Sequence, residues 1–600
     1  MPSEALDTLL PYYRRELQYL REMGHTFADA YPKVARRLEL GDQESPDPHT
    51  ERLIESLAFL CGRVQYNIER DMPRITTGLL GVLYPQLVAP IPAQSVVQCE
   101  VDLDQGVPAE GAQVPQHTSL YLDAPTGETC QFRTAYPLTL WPFSVPEVAV
   151  EPRDRYDVLT GAHGVEAVLR VRIRCDDGVW SDYNLRQLRL HLAGDPQVSS
   201  TLYELLFAHT QRVVLLGEDQ GAPEFLPNDA LRPVGFGEDE GTLPAPDHAH
   251  DAYRLIQEYA TFPRKYLFAD LNHLDRSPGE DHVDVLFLLD RAPDDTLQVR
   301  PKNVRLNCTP AVNLFRRTTE PIRVDQRQVE YRMVADRRRE ETTEIHTVES
   351  VRSTRGDETG TTYRPYFSFD HRARREGPSA FWYAERRPHR HHDGTDLVLS
   401  FVDLEFDPTQ PAHETVYGHV LCTNRRLPEH IPPQARYTLD QGLPVRRITG
   451  VDTPTNPIDP PLGGEHLWQL VSNLSLNHLS LSSRPESLNT LREMLRLYSG
   501  GAPSDFEQQL DGLRSMATES VARRVGDDAW RGFCRGTEVA LTVDERSFVG
   551  SSAFLLGAVL NHVFALHASA DSFTQLALSS NQRDGTWHRW PPQAGDQPLL

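Results

Sequence analysis

Three changes of pattern along the 600 residues predict an α+β multidomain protein, with an N-terminal helical segment, β-rich central domains and a small C-terminal α+β domain. Up to about residue 90, apolar side chains recur at three- and four-residue steps, the period of one helix face. From Pro90 they alternate or cluster in short β-branched runs between Pro, Gly and Asp turns. After residue 461 the two patterns interleave, which a small sheet covered by helices accommodates.

In residues 1–90 the first helix carries Leu6, Leu9, Leu10, Tyr13, Leu17, Leu20 and Phe27 on one face, with Pro11 expected in its first turn. A second helix starts at Asp47, a capping residue, with Pro48 at the first helical position, where a missing N–H costs nothing. Its face is Leu53, Leu57, Leu60, Val64 and Ile68. Pro73 is expected to open a third short helix that Pro85 closes. Stripes this long must be buried, within the chain or in a bundle shared with a partner.

Residues 91–335 read as strands at VVQCEV, LRVRIRC, LRQLRLHL and DHVDVLFLLD, with helical inserts near Ser200–Ala208 and Tyr253–Tyr259. Residues 336–395 read as an irregular basic connection, with arginines at 337–339 and the run RRPHRHHD. Strand character returns over 396–460 at DLVLSFVDLEF, and PTNPIDPPLGG reads as a linker. In 461–600 we expect an amphipathic helix at SLNTLREMLRLYS, a second across Asp505–Met516, a strand at TEVALTVDE, a buried helix over Ser551–Ala570 and a strand at TQLALS.

Length suggests roughly three to five domains. A net charge of -24 argues against a nucleic-acid partner, because phosphate binding depends on Lys and Arg. MPSEALDTLL lacks the basic start and apolar run of a signal peptide, and Ala553–Ala570 is broken by Asn561, His562 and His567, so no membrane helix is expected. Seven scattered cysteines without a C-x-x-C pair fit reduced thiols rather than disulfides or zinc, and the expectation is a cytoplasmic chain.

No motif predicts catalysis, a cofactor or a metal. His389, His391, His392 and Asp393 sit beside Arg386, Arg387 and Arg390, which repel a cation. Asp281 and Asp284 show no sign of a cleft, and no G-x-S-x-G elbow presents a serine. FPRKYLF, NLFRR and TNRRLP instead combine rings, guanidinium forks and proline, types enriched at interface hot spots and equally at home as core aromatics with surface arginines.

Between Leu231 and Asp325 two stretches, LRPVGFGEDEGTLP…YRLIQEYATFPRKYLFADL and NVRLNCTPAVNLFRRTTEPIRVD, resemble the TssF (VasA, ImpG) family of type VI secretion baseplate subunits. The resemblance extends to LLPYYRRELQYLREMGHTFADAYPKVARRL, DPHTERLIESLAFLCGRVQ, LLGVLYPQLVAPIPAQSVVQ, GHVLCTNRRLPEHIP, WQLVSNLSLNHLSL and the segment from FCRGTEVALTVDE to SFTQL. It is weakest from Arg337 to Asp393. It implies a structural wedge subunit without turnover, two copies joining one TssG-like subunit that carries TssK-like adaptors. Contacts with a TssE-like sheath initiator and the spike hub are also implied, in a platform that primes tube and sheath polymerisation. Such a platform lies in the cytoplasm of a Gram-negative bacterium, docked at the inner membrane through other subunits. The resemblance favours an interface role for Leu9, Tyr13, Leu17, Leu20, Phe262, Arg264, Phe315, Arg316, Arg425 and Arg426. A rival reading, a β-rich carbohydrate-binding or carbohydrate-processing protein, predicts a chain that is well behaved alone.

Overall fold

The computed structural model describes all residues except Met1, 39–46, 157–163, 218–222, 247–248, 277–280, 295–296, 326, 355–360, 367–379, 390–392, 404–413, 441, 463–464, 476–486, 500–503, 525–532 and 596–600. The α-helices among the described residues are α1 (Pro2–Ala30), α2 (Pro32–Leu38), α3 (Pro48–Leu83), α4 (Pro196–Ala208), α5 (Asp251–Thr261), α6 (Glu465–Ser475), α7 (Ser487–Tyr498), α8 (Ser504–Asp511) and α9 (Ala553–His567). The chain divides into two compact units, Met1–Leu80 with Leu462–Val471, and Gly81–Pro461 with Ser472–Leu600.

In the first unit α1 and α3 run antiparallel. Gly62 lets the backbones meet, since a Cβ there would lie 3.0 Å from the Tyr13 amide nitrogen. The rings of Tyr12 and Tyr66 meet edge to face at 5.7 Å, and Arg21 pairs with Glu51 at 2.5 Å. Asp47 caps α3 as expected, accepting from the His49 amide at 3.0 Å and the Thr50 hydroxyl at 2.9 Å. Two proline readings are corrected. Pro11 lies inside α1, and α3 continues through Pro73 to Leu83. A proline removes one ladder hydrogen bond, and the long helical runs on either side sustain the helix across it.

The second unit is built on a closed six-stranded barrel. Its strands, in spatial order, are Gln94–Val101, Cys308–Val312, Thr129–Thr134, Ser119–Asp123, Arg436–Leu439 and Val445–Gly450. Val97, Leu120, Phe132, Ala311 and Tyr437 pack together in its core. A five-stranded sheet has His282–Leu289 at its centre, between Ala167–Cys175 and Thr210–Leu216. That strand is buried on both faces, which explains its nearly unbroken apolar sequence. A four-stranded sheet contains Gln187–Leu192 and Phe268–Asn272.

Residues 336–395, expected to be irregular, contain strands Glu344–Thr354, Thr361–Pro365 and Ala380–Pro388 of an eight-stranded sheet. The basic sequence hides them because its arginines tie strands together. Arg386 is buried and donates to Ile345 O at 3.0 Å, His346 O at 2.5 Å and the Thr395 hydroxyl at 2.7 Å. The expected linker is likewise partly ordered onto the barrel. Ile458 bridges Ile91, and the Thr455 amide donates to Gln94 O at 2.8 Å.

Toward the C-terminus α8 stops at Asp511, not Met516, because Gly512 turns the chain into strand Leu513–Arg524. A Cβ at Gly512 would lie 2.7 Å from the Ser547 Cβ. Phe533–Val543 and Phe573–Ser580 pair in parallel, and α9 is the crossover that such pairing requires. Two of the polar residues that interrupt α9 have contacts inside the fold: the Leu576 amide donates to Asn561 Oδ1 at 3.3 Å, and His562 Nδ1 lies 2.9 Å from Ala558 O. Among the described residues no helix is long and apolar enough to cross a membrane.

Candidate partner-binding surfaces

Among the described residues, the densest run of exposed apolar side chains lies on the helical hairpin. On α3, Leu53, Leu57, Leu60, Val64 and Ile68 are all at least half exposed, Leu53 reaching 71%. Their spacing of four, three, four and four residues places them on one face. The sequence period defines this face, and its exposure is what the structure adds. Leu9, Tyr13, Leu17 and Leu20, the nominated residues of α1, are half-buried.

The two stretches richest in family motifs are mainly internal. Gly235, Phe236 and Gly237 donate their amides to one Glu240 carboxylate oxygen at 2.6, 3.0 and 3.1 Å. Gly235 has φ +108, and a Cβ there would lie 2.9 Å from the Tyr266 ring, so glycine is required. The Glu258 carboxylate accepts from the amides of Thr242 and Leu243 at 2.6 and 2.9 Å and pairs with the Lys265 ammonium. That ammonium also donates to Glu240 O at 2.9 Å. Both side chains are fully buried; burial pushes the Lys265 ammonium down, and the Glu258 charge opposes that shift. The Thr242 hydroxyl extends the network to barrel residue Gln94 at 2.5 Å. GFGEDEGTLP and FPRKYLF therefore clamp α5 against the barrel.

Among the other nominated residues, Phe262, Phe315 and Arg425 are buried, which corrects their assignment to a partner surface. Arg425 sits at φ +48 and donates to Asp393 O at 2.7 Å and Thr343 O at 3.2 Å. Beside it Asn313 and Asn424 bond reciprocally at 2.8 and 2.7 Å. Packed sheet junctions need the same rigid rings and multidentate donors that interfaces use, so residue type does not separate the two. Arg264, Arg316 and Arg426 do reach the surface, each beside an intrachain carboxylate: Asp452 at 3.0 Å, Glu349 at 3.0 Å and Asp459 at 2.5 Å.

The groups weighed for chemistry have structural partners. Asp284 is gripped by the Arg172 fork at 2.7 and 2.8 Å, and His389 lies 3.9 Å from Asp396. His391 and His392 lie outside the described residues. Among the described residues no group of three His, Cys, Asp or Glu side chains is arranged to hold a metal ion. Burial pushes the thiols of Cys99, Cys130 and Cys422 up to about 12, far from a reactive thiolate.

Interlocked sheets with tied polar interiors, together with a hairpin that leaves a long apolar face in solvent, define an assembly subunit. The comparisons specify which. The chain belongs to the type VI secretion system TssF family, whose model matches residues 5–597. It is 32% identical to the type VI secretion system component TssF1 of Pseudomonas aeruginosa over 628 aligned positions, covering 99% of each chain. A chain of a TssK-TssF-TssG baseplate subcomplex resolved by electron cryo-microscopy superposes with TM-score 0.74 at 26% identity, over 92% of this chain and 99% of that one. A chain of a type VI secretion baseplate complex has the same fold, with TM-score 0.60 at 24% identity over 98% and 100%.

Proposed function

We propose that this chain is a structural subunit of the type VI baseplate wedge, acting by geometry and without chemical turnover. The observation that carries the reading is the exposed α3 face, in a chain whose relative of known structure sits in a TssK-TssF-TssG subcomplex. An apolar helix stripe of this kind is stabilised by burial against another helix. A TssG-like subunit is the proposed partner for it, with two copies of this chain per partner. TssK-like adaptors, a TssE-like sheath initiator and the spike hub complete the platform that primes tube and sheath assembly, on the cytoplasmic side of the inner membrane. Leu9, Tyr13, Leu17 and Leu20 support the hairpin from α1, while Arg264, Arg316 and Arg426 are the nominated residues still available to a partner.

Co-expression with the TssG-like subunit of the same secretion system tests this. A complex with two copies of this chain is expected by native mass spectrometry, and it should be lost on Leu57→Asp with Val64→Asp. Absence of a complex with the native chain would remove the reading, and a one-to-one mass would remove its stoichiometry.

A further inference from the structure

Five arginines are buried among the described residues: Arg133, Arg170, Arg254, Arg386 and Arg425. Four have acceptors within the chain. Arg170 holds Glu147 and Glu151, Arg254 donates to the carbonyls of Gly237 and Glu238, and Arg386 and Arg425 donate to the carbonyls named above. Arg133 is 8% exposed; its side chain has no hydrogen bond or ion pair among the described residues, and its Nε is buried without an acceptor. A guanidinium this deeply placed with no acceptor for any of its nitrogens among the described residues is costly and uncommon in a finished structure.

Its surroundings add positive charge instead of removing it. Arg133 lies on barrel strand Thr129–Thr134, opposite Ser119 on one neighbour and Val312 on the other. Leu120 and Phe132 fill the barrel core, so Arg133 belongs to the outer face, and Ser119 beside it is exposed. The charged groups acting on it are Arg316 and Glu349 of the eight-stranded sheet. Arg316 already engages both Glu349 oxygens, at 3.0 and 3.1 Å. Two histidines are close enough to sense Arg133, and its charge disfavours the protonated form of each. His117, at the rim with φ +65, is held down to about 4 by desolvation and then by the two guanidiniums, and buried His346 is held down to about 3. Arg133, Arg316 and Glu349 together carry a net charge of about +1, with no further counter-ion among the described residues, in a chain of net charge -24.

We propose that Arg133, with Arg316 at its rim, is a docking site for a carboxylate presented by an acidic side chain of a partner subunit. A guanidinium fork matches the two oxygens of a carboxylate, as the Arg172 grip on Asp284 already does within this chain. The site is made by strand side chains, Arg133 on Thr129–Thr134 and Arg316 on Phe315–Thr318. This inference rests on the assembly reading and adds to it a polar contact, distinct from the apolar α3 face.

The test uses the full chain and the purified TssG-like and TssK-like subunits of its own system. Arg133→Met should leave the thermal midpoint of the isolated chain unchanged or higher, because it removes an unpaired buried charge. It should also weaken one of the two binary affinities roughly tenfold or more. Arg133→Lys should recover part of that loss, and Arg316→Met should weaken the same complex. Unchanged affinity would overturn the proposal, as would a loss of affinity explained by a midpoint several degrees lower. A midpoint raised by about 50 mM phosphate in the native chain but not in Arg133→Met, with affinities intact, would assign the site to a free anion and also overturn it. Failure of the native chain to bind either subunit would instead remove the assembly reading on which the inference stands.

Discussion

At the scale of single residues, the sharpest energetic feature is the fully buried Lys265–Glu258 pair. Removing one member leaves the other charged and fully buried, so Lys265→Met should destabilise the second unit by about 3–5 kcal/mol, read from denaturant unfolding. Adding Glu258→Gln should recover part of that loss; no recovery would mean that packing and not charge sets the cost. A second residue-level prediction concerns pH. His209 is raised by its contacts with Glu204 and Asp290, at 3.4 and 2.9 Å. Burial opposes ionisation of Glu204, but hydrogen bonds from His209 and Arg583 outweigh it and hold the carboxyl down to about 2. The raised histidine contributes stability in full below its ordinary value of 6.5 and loses it as pH rises through the folded value. The depressed carboxylate contributes above its ordinary 4.5 and loses that as pH falls toward 2. The thermal-midpoint advantage of the native chain over His209→Gln should therefore be greatest between those two ordinary values and shrink toward pH 9. An advantage that is flat across this range would show that the histidine acts by shape alone.

Among the elements, α1 and α3 separate two demands on an amphipathic helix. One face of the hairpin closes at Gly62, where an added side chain meets the Tyr13 backbone; Gly62→Val should cost about 1–3 kcal/mol and loosen the pair. The other face, Leu53 to Ile68, is exposed, so Leu57→Asp with Val64→Asp should change the stability of the isolated chain by only about 0.5 kcal/mol per site. Urea unfolding of the isolated chain checks the second expectation, and a large loss would mean that the stripe is buried in solution. The helices were legible because a 3.6-residue period and the cap at Asp47 are local signals, and these survive the interior prolines. The eight-stranded sheet was not, because its polar strands are defined by cross-strand partners such as Arg386 with Ile345 O and Thr395, more than forty positions away in the first case. The surface residues were only half legible for a related reason. Phe262 and Arg264 are two positions apart in one motif, yet one is buried and the other lies beside Asp452, a choice made by tertiary packing.

For the whole molecule, two opposing forces act between copies in solution. The net charge of -24 repels, while the apolar α3 face attracts. The repulsion acts over a Debye length, roughly 14 Å at 0.05 M salt and near 4 Å at 0.5 M, whereas hydrophobic contact is not screened. Self-association of the isolated chain should therefore rise with sodium chloride over about that range, seen as an increasing weight-average mass in sedimentation equilibrium. Leu57→Asp with Val64→Asp should abolish the rise, because it removes the attraction and adds to the repulsion. Covering the face with the TssG-like subunit should abolish it too, and the resulting complex should survive the high-salt end of the series. A mass that falls as salt is added would identify ionic contacts between copies as the driving force, and would move the search for the assembly surface from α3 to the paired arginines and carboxylates of the sheets.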